Sequence, residues 1–311
     1  MTAIKKPLVS VIIRTLNEEK YLTELLHSIE SQNRELFNLE IIVVDSGSTD
    51  NTLKIAKSFN SRITFINKDD FSFGRSLNIG CEFARGEFFV FVSGHCIPTD
   101  SNWIDCLVRP LSNGFCEYTY GRQEPRDSTK FSEMQIFSKY FPDVSQIPQD
   151  GFFCNNANAA LTRKSWEKYL FDETLTGCED MELAKRIYKD GNKIGYVAEA
   201  SVFHIHDETW NQVKTRYERE ALALQKIMPD IHLTLWDVTK FFLAGVFNDM
   251  KIAISKRNFT NNFISIILFR WSQYLGSYIG NNKSRKLSEE AKQQYFYPNS
   301  SKIKIKENYN D

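Results

Sequence analysis

The chain has 311 residues, 42% hydrophobic and 25% charged, enough to bury a full core in one large domain or one domain with an appendage. Lys+Arg and Asp+Glu are equal at 39 each, so no whole-molecule field favours nucleic acid. Six cysteines (Cys81, Cys96, Cys106, Cys116, Cys154 and Cys178) are scattered without a CxxC pair, which speaks against a zinc knuckle or disulfide framework and fits reduced thiols in a cytoplasm.

The opening MTAIKKPLVSVIIRT has only a brief apolar run broken by Arg14, and reads as a strand over Val9–Ile13 rather than a signal peptide. A helical pattern follows, with Leu22, Leu25, Leu26 and Ile29 on one face. Ile41–Val44 predicts a second buried strand ending at Asp45 and the turn SGSTDNT, where Ser48 or Asp50 can cap the next helix. Ile63–Ile66 is a third strand, Arg75–Arg85 a helix, and Glu87–Val92 a fourth strand. Alternating strands and helices predict a parallel sheet with helices on both faces, and ligands in such sheets bind beyond the strands' carboxyl ends. Thr15, Asp45, Asp70 and His95 all follow strand ends, so they should converge on one crevice.

From about residue 115 to 165 the pattern weakens. TYGRQEPRD reads as a turn-rich loop, FSEMQIFSKYF as a helix and PDVSQIPQDGFF as an irregular connection. Leu183 and Ile187 mark an amphipathic helix after Glu179, and IGYVAEASVFHIH a further strand pair. From about Trp210 the pattern is helical and aromatic, and the tail SSKIKIKENYND is polar and frayed. The longest apolar stretch of that region, Phe263 to Phe269, is interrupted by Ser265 and is too short to span a bilayer, which predicts a soluble, cytoplasmic protein.

Several polar residues have two readings. Asp45 either accepts hydrogen bonds from a ribose or base, or caps its own turn. Arg75 and Asn78, in FGRSLNIG, face a diphosphate or sit on a solvated helix. Glu179 and Asp180 start a helix, where acids suit the dipole and where a carboxylate can also take a proton from a hydroxyl. His204 and His206 alternate on a predicted strand, so they should point to opposite faces, with one meeting His95. No GxxxxGK[ST] or GxGxxG cradle is present, which speaks against kinase or dinucleotide chemistry.

Taken together, VSVIIRTLNEE, IIVVDSGSTDNT, FGRSLNIG, ARGEFFVFV and GCEDMELAKRI resemble, in order, the motifs of a family 2 glycosyltransferase. YGRQEP and VFHIH resemble the branch of bacterial rhamnosyltransferase-like enzymes of surface-polysaccharide synthesis. The resemblance implies an α/β GT-A fold, a Rossmann-like nucleotide-sugar-binding sheet with flanking helices, over residues 1–215, and a helical C-terminal extension over 216–311. It implies an inverting transfer from a nucleotide-sugar donor to a hydroxyl of a glycan or lipid-linked oligosaccharide. Thr15, Glu18, Asp45, Asp70, Arg75, Asn78 and His95 would line the donor site, Asp180 would be the general base, and Glu179 would lie on the acceptor side.

One departure stands out. Where the family's fourth strand ends in an Asp-x-Asp motif that holds a divalent metal, this chain reads Ser93-Gly94-His95. Two options remain: His95 with His204 or His206 binds a Mn²⁺-like ion rather than Mg²⁺, or no metal binds and His95 and Arg75 stabilise the leaving group directly. Loss of both carboxylates also leaves a rival reading, a catalytically silent GT-A-like module that binds a glycan or partner protein. Near the C-terminus, aromatics lie among Lys251, Lys256, Arg257, Lys283, Arg285 and Lys286. They make either a helical appendage packed on the core or a basic, amphipathic surface resting on the inner face of the cytoplasmic membrane.

Overall fold

A computed structural model describes residues 6–283 and residue 296. The tail motif SSKIKIKENYND, Arg285 and Lys286 lie outside the described residues. The backbone divides into two compact units, one of Met1–Thr129, Ile136–Leu175 and Glu179–His206, the other of Lys130–Gln135, Thr176–Cys178 and Asp207–Asp311.

The first unit is built on an eight-stranded sheet of order β3-β2-β1-β4-β7-β6-β8-β5. Strands β1 (Leu8–Thr15), β2 (Asn38–Asp45), β3 (Ser61–Phe65) and β4 (Phe88–Ser93) run parallel, with Thr15 opposite Asp45 and Arg14 opposite Ser93. Their carboxyl ends therefore share one edge. Helix α1 (Glu19–Glu30) buries Leu22, Leu25, Leu26 and Ile29, as their spacing predicts, in one core with Val11, Ile13, Val43, Val90 and Val92. Helices α2 (Thr52–Ser58) and α4 (Trp103–Ser112) add Ala56, Trp103, Ile104 and Leu107 to it. Side chains of alternate parity point to the other face. There Phe89 and Phe91 meet Trp166 of α6 (Arg163–Tyr169) and Phe171, with ring centroids 5.6 and 5.5 Å apart. Helix α3 (Phe73–Phe83) packs on that side too, since its Asn78 bonds both Trp166 and Phe171.

The sheet is not wholly parallel, contrary to the sequence expectation. Strand β7 (Asn158–Thr162) runs antiparallel to both β4 and β6 (Tyr118–Glu124), and the short β5 (Cys96–Pro98) runs antiparallel to β8 (Ile194–His204). The stretch expected as the loop TYGRQEPRD is β6 up to Glu124, and the expected strand pair is one continuous β8 of 11 residues. Tyr118 and Tyr120, buried on β6, supply the β-favouring side chains that Gly121 and the charged residues mask in a linear reading. Helix α7 (Glu179–Lys189) buries Leu183, Ala184 and Ile187.

The second unit is helical: α8 (Trp210–Ile227), α9 (Leu235–Ser255) and α10 (Phe259–Asn282). Thr209 and Thr234 start α8 and α9 with reciprocal capping boxes. Arg270 of α10 makes a bidentate pair with Asp249 of α9, at 2.7 and 2.8 Å, both buried. Helix α5 (Phe131–Tyr140) runs across the division between the units.

Candidate functional site

The loops after β1 and β2 are tied together by their own polar groups. Asp45 accepts from Thr15 Oγ1 at 3.1 Å, from Ser48 Oγ, and from the amides of Gly47 and Ser48 at 2.9 Å. Four donors fill the usual acceptor sites of a carboxylate, so in this structure Asp45 organises its turn. Asn17 holds a left-handed φ of 57° and accepts from Thr49 N, while Glu18 N donates to Thr52 Oγ1 at 2.7 Å and Glu19 N to Asp50 Oδ2 at 3.1 Å. Asp50 also accepts from Thr52 N, but the N-cap of α2 is Asn51, so neither Ser48 nor Asp50 caps that helix as expected.

Beside this wall, at the tip of β4, Glu18 reaches His95: its Oε1 lies 2.9 Å from His95 Nδ1. Gly94 permits the approach, because a Cβ there would sit 2.7 Å from Glu18 Cγ. His204 and His206 join His95, with ring centroids 5.3 and 5.9 Å from it and 4.1 Å from each other. The expected opposite-face arrangement of His204 and His206 does not hold. Residues two apart on an extended chain share a face, so His204 and His206, either side of Ile205 at the end of β8, both turn toward His95. One potential ligand atom from each of the three rings lies within 4.8 Å of the others. His204 Nδ1 is 2.6 Å from Gln123 Oε1, Gln123 Nε2 donates to Asn155, and Phe137 stacks on the His204 ring. With Glu18 and Gln123 as acceptors, Nδ1 of both His95 and His204 carries a proton.

The acids at the start of α7 reach the same end of the sheet. Arg14 Nη1, at the end of β1, donates to Glu179 Oε1 at 3.1 Å. Asn156, two residues before β7, donates its amide to Asp180 Oδ2 at 2.8 Å, and the adjacent Ala157 carbonyl accepts from Ser93 N. Asp180 also accepts from Met181 N at 2.7 Å. Its carboxyl is pushed up to about 7, chiefly by burial and then by the neighbouring charge of Glu179, against the opposing pull of its two backbone donors and Arg14. Glu179 is buried and turned to Arg14, so it bears on the site through its charge. The Tyr118 hydroxyl donates to Asn156 Oδ1, while Asn156 Nδ2 is buried with no hydrogen-bond partner among the described residues. Burial pushes the nearby Cys96 and Cys154 thiols well up, so neither is poised as a nucleophile.

Three expected donor-site residues lie elsewhere in character. Arg75 and Asp70 form an exposed pair, 3.7 Å apart, at the start of α3. Asn78 is corrected: its Nδ2 donates to Phe171 O and Glu173 Oε1, and its Oδ1 accepts from Trp166 Nε1 and Phe171 N. Its amide is thus spent on joining α3 to the loop after α6, and none of it faces a ligand. Sequence reasoning missed Arg14, Tyr118, Gln123, Asn155 and Asn156. Arg14 carried a signal, a charge inside an apolar strand; the asparagine pair in FCNNANAAL carried none that local pattern could rank.

The model of the family described as glycosyl transferase family 2 matches residues 10–170, more than half of the chain. The O-antigen chain rhamnosyltransferase WbaN of Salmonella anatum is 30% identical over 207 residues, 62% of this chain and 64% of that protein. The O-antigen chain rhamnosyltransferase RfbN of Salmonella typhimurium is 29% identical over 223 residues, 67% of this chain and 70% of that protein. This chain therefore spans slightly less than two thirds of the first relative's length and slightly more of the second's. Among solved structures, a mannosyltransferase from Pyrobaculum calidifontis, in complex with GDP-Man and Mn²⁺, superposes with a TM-score of 0.61 at 17% identity, over 94% of this chain and 88% of that one. That likeness is one of fold, and it agrees with the expected GT-A architecture. The chain belongs to glycosyl transferase family 2.

Proposed function

We propose that this protein is an inverting glycosyltransferase of surface-polysaccharide synthesis, moving a sugar from a nucleotide-sugar donor to a hydroxyl of a glycan or lipid-linked oligosaccharide. The observation that carries the reading is Asp180: a buried carboxyl raised to about 7, at the strand tips where open α/β sheets take their ligands. A carboxylate whose proton affinity is raised there is a stronger base than a free one and can accept a hydroxyl proton as it is lost. The names of the Salmonella relatives favour a surface-polysaccharide acceptor.

In the proposed reaction Asp180 takes the acceptor's hydroxyl proton as that oxygen attacks the anomeric carbon. The bond from that carbon to the donor diphosphate breaks on the opposite face, and the nucleoside diphosphate leaves with the electron pair. Arg14 and Glu179 set the field around Asp180, and the Asn156 amide holds its Oδ2 in place. The knitted loops bearing Thr15, Glu18 and Asp45 form the wall against which base and ribose rest, with Arg75 and Asp70 at its open margin.

A divalent metal fits the three imidazoles. Their ligand atoms lie close together, and Glu18 and Gln123 orient the His95 and His204 rings through Nδ1. His95, His204 and His206 would hold it, and a nitrogen donor set suits Mn²⁺ and later metals better than Mg²⁺. Such an ion, when bound, would neutralise charge on the leaving diphosphate.

The test is calorimetry with UDP, GDP, dTDP and CMP and the corresponding sugars, with and without Mn²⁺, followed by transfer assays with the donor that binds. Binding of one nucleotide, and turnover that Asp180→Asn abolishes while donor affinity persists, is the expected result. No nucleotide binding under any condition would sink the reading in favour of a silent glycan- or protein-binding module.

A further inference from the structure

Helices α9 and α10 each leave an apolar stripe uncovered. In α9 the buried residues are Val246, Asp249 and Ala253, whereas Trp236, Leu243, Phe247 and Ile254 are exposed. These four recur at intervals of seven, four and seven residues. At 3.6 residues per turn they stay within about 20° of one line along the helix. Helix α10 repeats the device with exposed Ile264, Leu268 and Trp271, at intervals of four and three. The two indoles are 75% and 55% exposed. Single exposed apolar side chains are ordinary, but a stripe on each helix of one hairpin is not.

The charge beside them says what fits. Lys240 and Lys251 are exposed on α9, and Lys256 and Arg257 are exposed in the turn to α10. Between Val238 and Asn282 the only carboxylate is Asp249, which is buried against Arg270. Every exposed charge of this stretch is therefore a cation. Two copies meeting through this face would bring like charges together, whereas an anionic lipid surface supplies the opposite sign. Tryptophan prefers the boundary between headgroups and acyl chains. Among the described residues no helix is long and apolar enough to cross a membrane, so the geometry is that of a surface lying on lipid.

We propose that the outer faces of α9 and α10 dock the protein on an anionic bilayer, with Trp236, Leu243, Phe247, Ile264 and Trp271 in the headgroup boundary and the four cations on lipid phosphates. The inference rests on the helical unit alone and does not depend on which nucleotide the other unit takes.

The experiment is co-sedimentation of the full chain with phosphatidylcholine vesicles, pure or carrying about 30% phosphatidylglycerol. The expected result is binding about tenfold tighter to the anionic vesicles, weakened by salt, with a blue shift of tryptophan emission. The pairs Trp236→Ser/Phe247→Ser and Lys251→Glu/Lys256→Glu should each lose about tenfold in vesicle affinity while thermal midpoint and nucleotide binding stay at wild-type values. Failure to sediment with anionic vesicles, or equal binding by the Trp236→Ser/Phe247→Ser variant, would overturn the proposal. So would a wild-type dimer in light scattering that this variant converts to a monomer, which would assign the face to a second copy of the chain. Nucleotide calorimetry on the same samples reads the transferase proposal separately.

Discussion

At Asp180, two backbone amides and Arg14 stabilise the ionised carboxylate, yet burial and Glu179 win and raise the group from 3.8 to about 7. The pH dependence follows in sign. In turnover the base must be deprotonated, so kcat/KM should rise with pH along an acid limb centred near 7, and a limb near 4 would exclude Asp180 as the base. In stability the raised group favours the protonated fold: its contribution is complete below about pH 4 and is lost as pH rises to about 7, up to about 4 kcal/mol. Asp180→Asn should therefore gain thermal stability relative to wild type between pH 5 and 8, and a pH-independent difference would refute the assigned burial cost. Gly94 makes a second test. Gly94→Ala would press a Cβ against Glu18 Cγ and push the carboxylate off His95. Mn²⁺-dependent nucleotide affinity should fall about tenfold or more while metal-free affinity changes little, given the reported cost of losing a partner behind a metal ligand. An equal fall without metal would instead give His95 a direct charge role.

Among the elements, the parallel half of the sheet was legible because each strand and its helix are declared by local periodicity. VSVII, IIVV, ITFI and EFFVFV all became strands, and Leu22, Leu25, Leu26 and Ile29 all became buried. Strands β5, β6 and β7 were not legible. β5 and β7 are short, β6 carries Gly121 and charged residues, and all three are completed by pairing with β4, β8 or one another across long stretches of chain. In the helical unit, α9 and α10 are joined by a buried ion pair, Arg270 with Asp249, beside the apolar cluster of Val246, Ala253 and Ile266. Asp249→Asn leaves the guanidinium underpaired in a dry site and should cost about 3–5 kcal/mol, read as a fall in the thermal midpoint of that unit. A loss below 1 kcal/mol would mean that the pair is solvated. Gly280 is equally placed: a Cβ there would fall on the Glu218 carbonyl of α8.

For the whole molecule, ligand binding and stability are linked. A nucleotide that binds only the folded state at about a hundred times its Kd should raise unfolding free energy by about 2.7 kcal/mol, so a thermal-shift screen across UDP-, GDP-, dTDP- and CMP-sugars will identify the donor by its shift. No shift with any of them, together with silent calorimetry, would leave the transferase reading without support. The sequence by itself determined the family, the succession of the first four strands along the chain and the positions of the polar residues that follow them, because motif order and hydrophobic period are properties of neighbouring residues. Only the tertiary structure decided which of those polar groups meet. Arg14 finds Glu179 across 165 positions, Gln123 finds His204 across 81, and Asn156 finds Asp180 across 24. It also decided that Asn78 is spent inside the fold and that the His204 and His206 rings meet His95. The physical reason is that burial and long-range pairing set a side chain's partners and its proton affinity, and neither is written in the residues beside it.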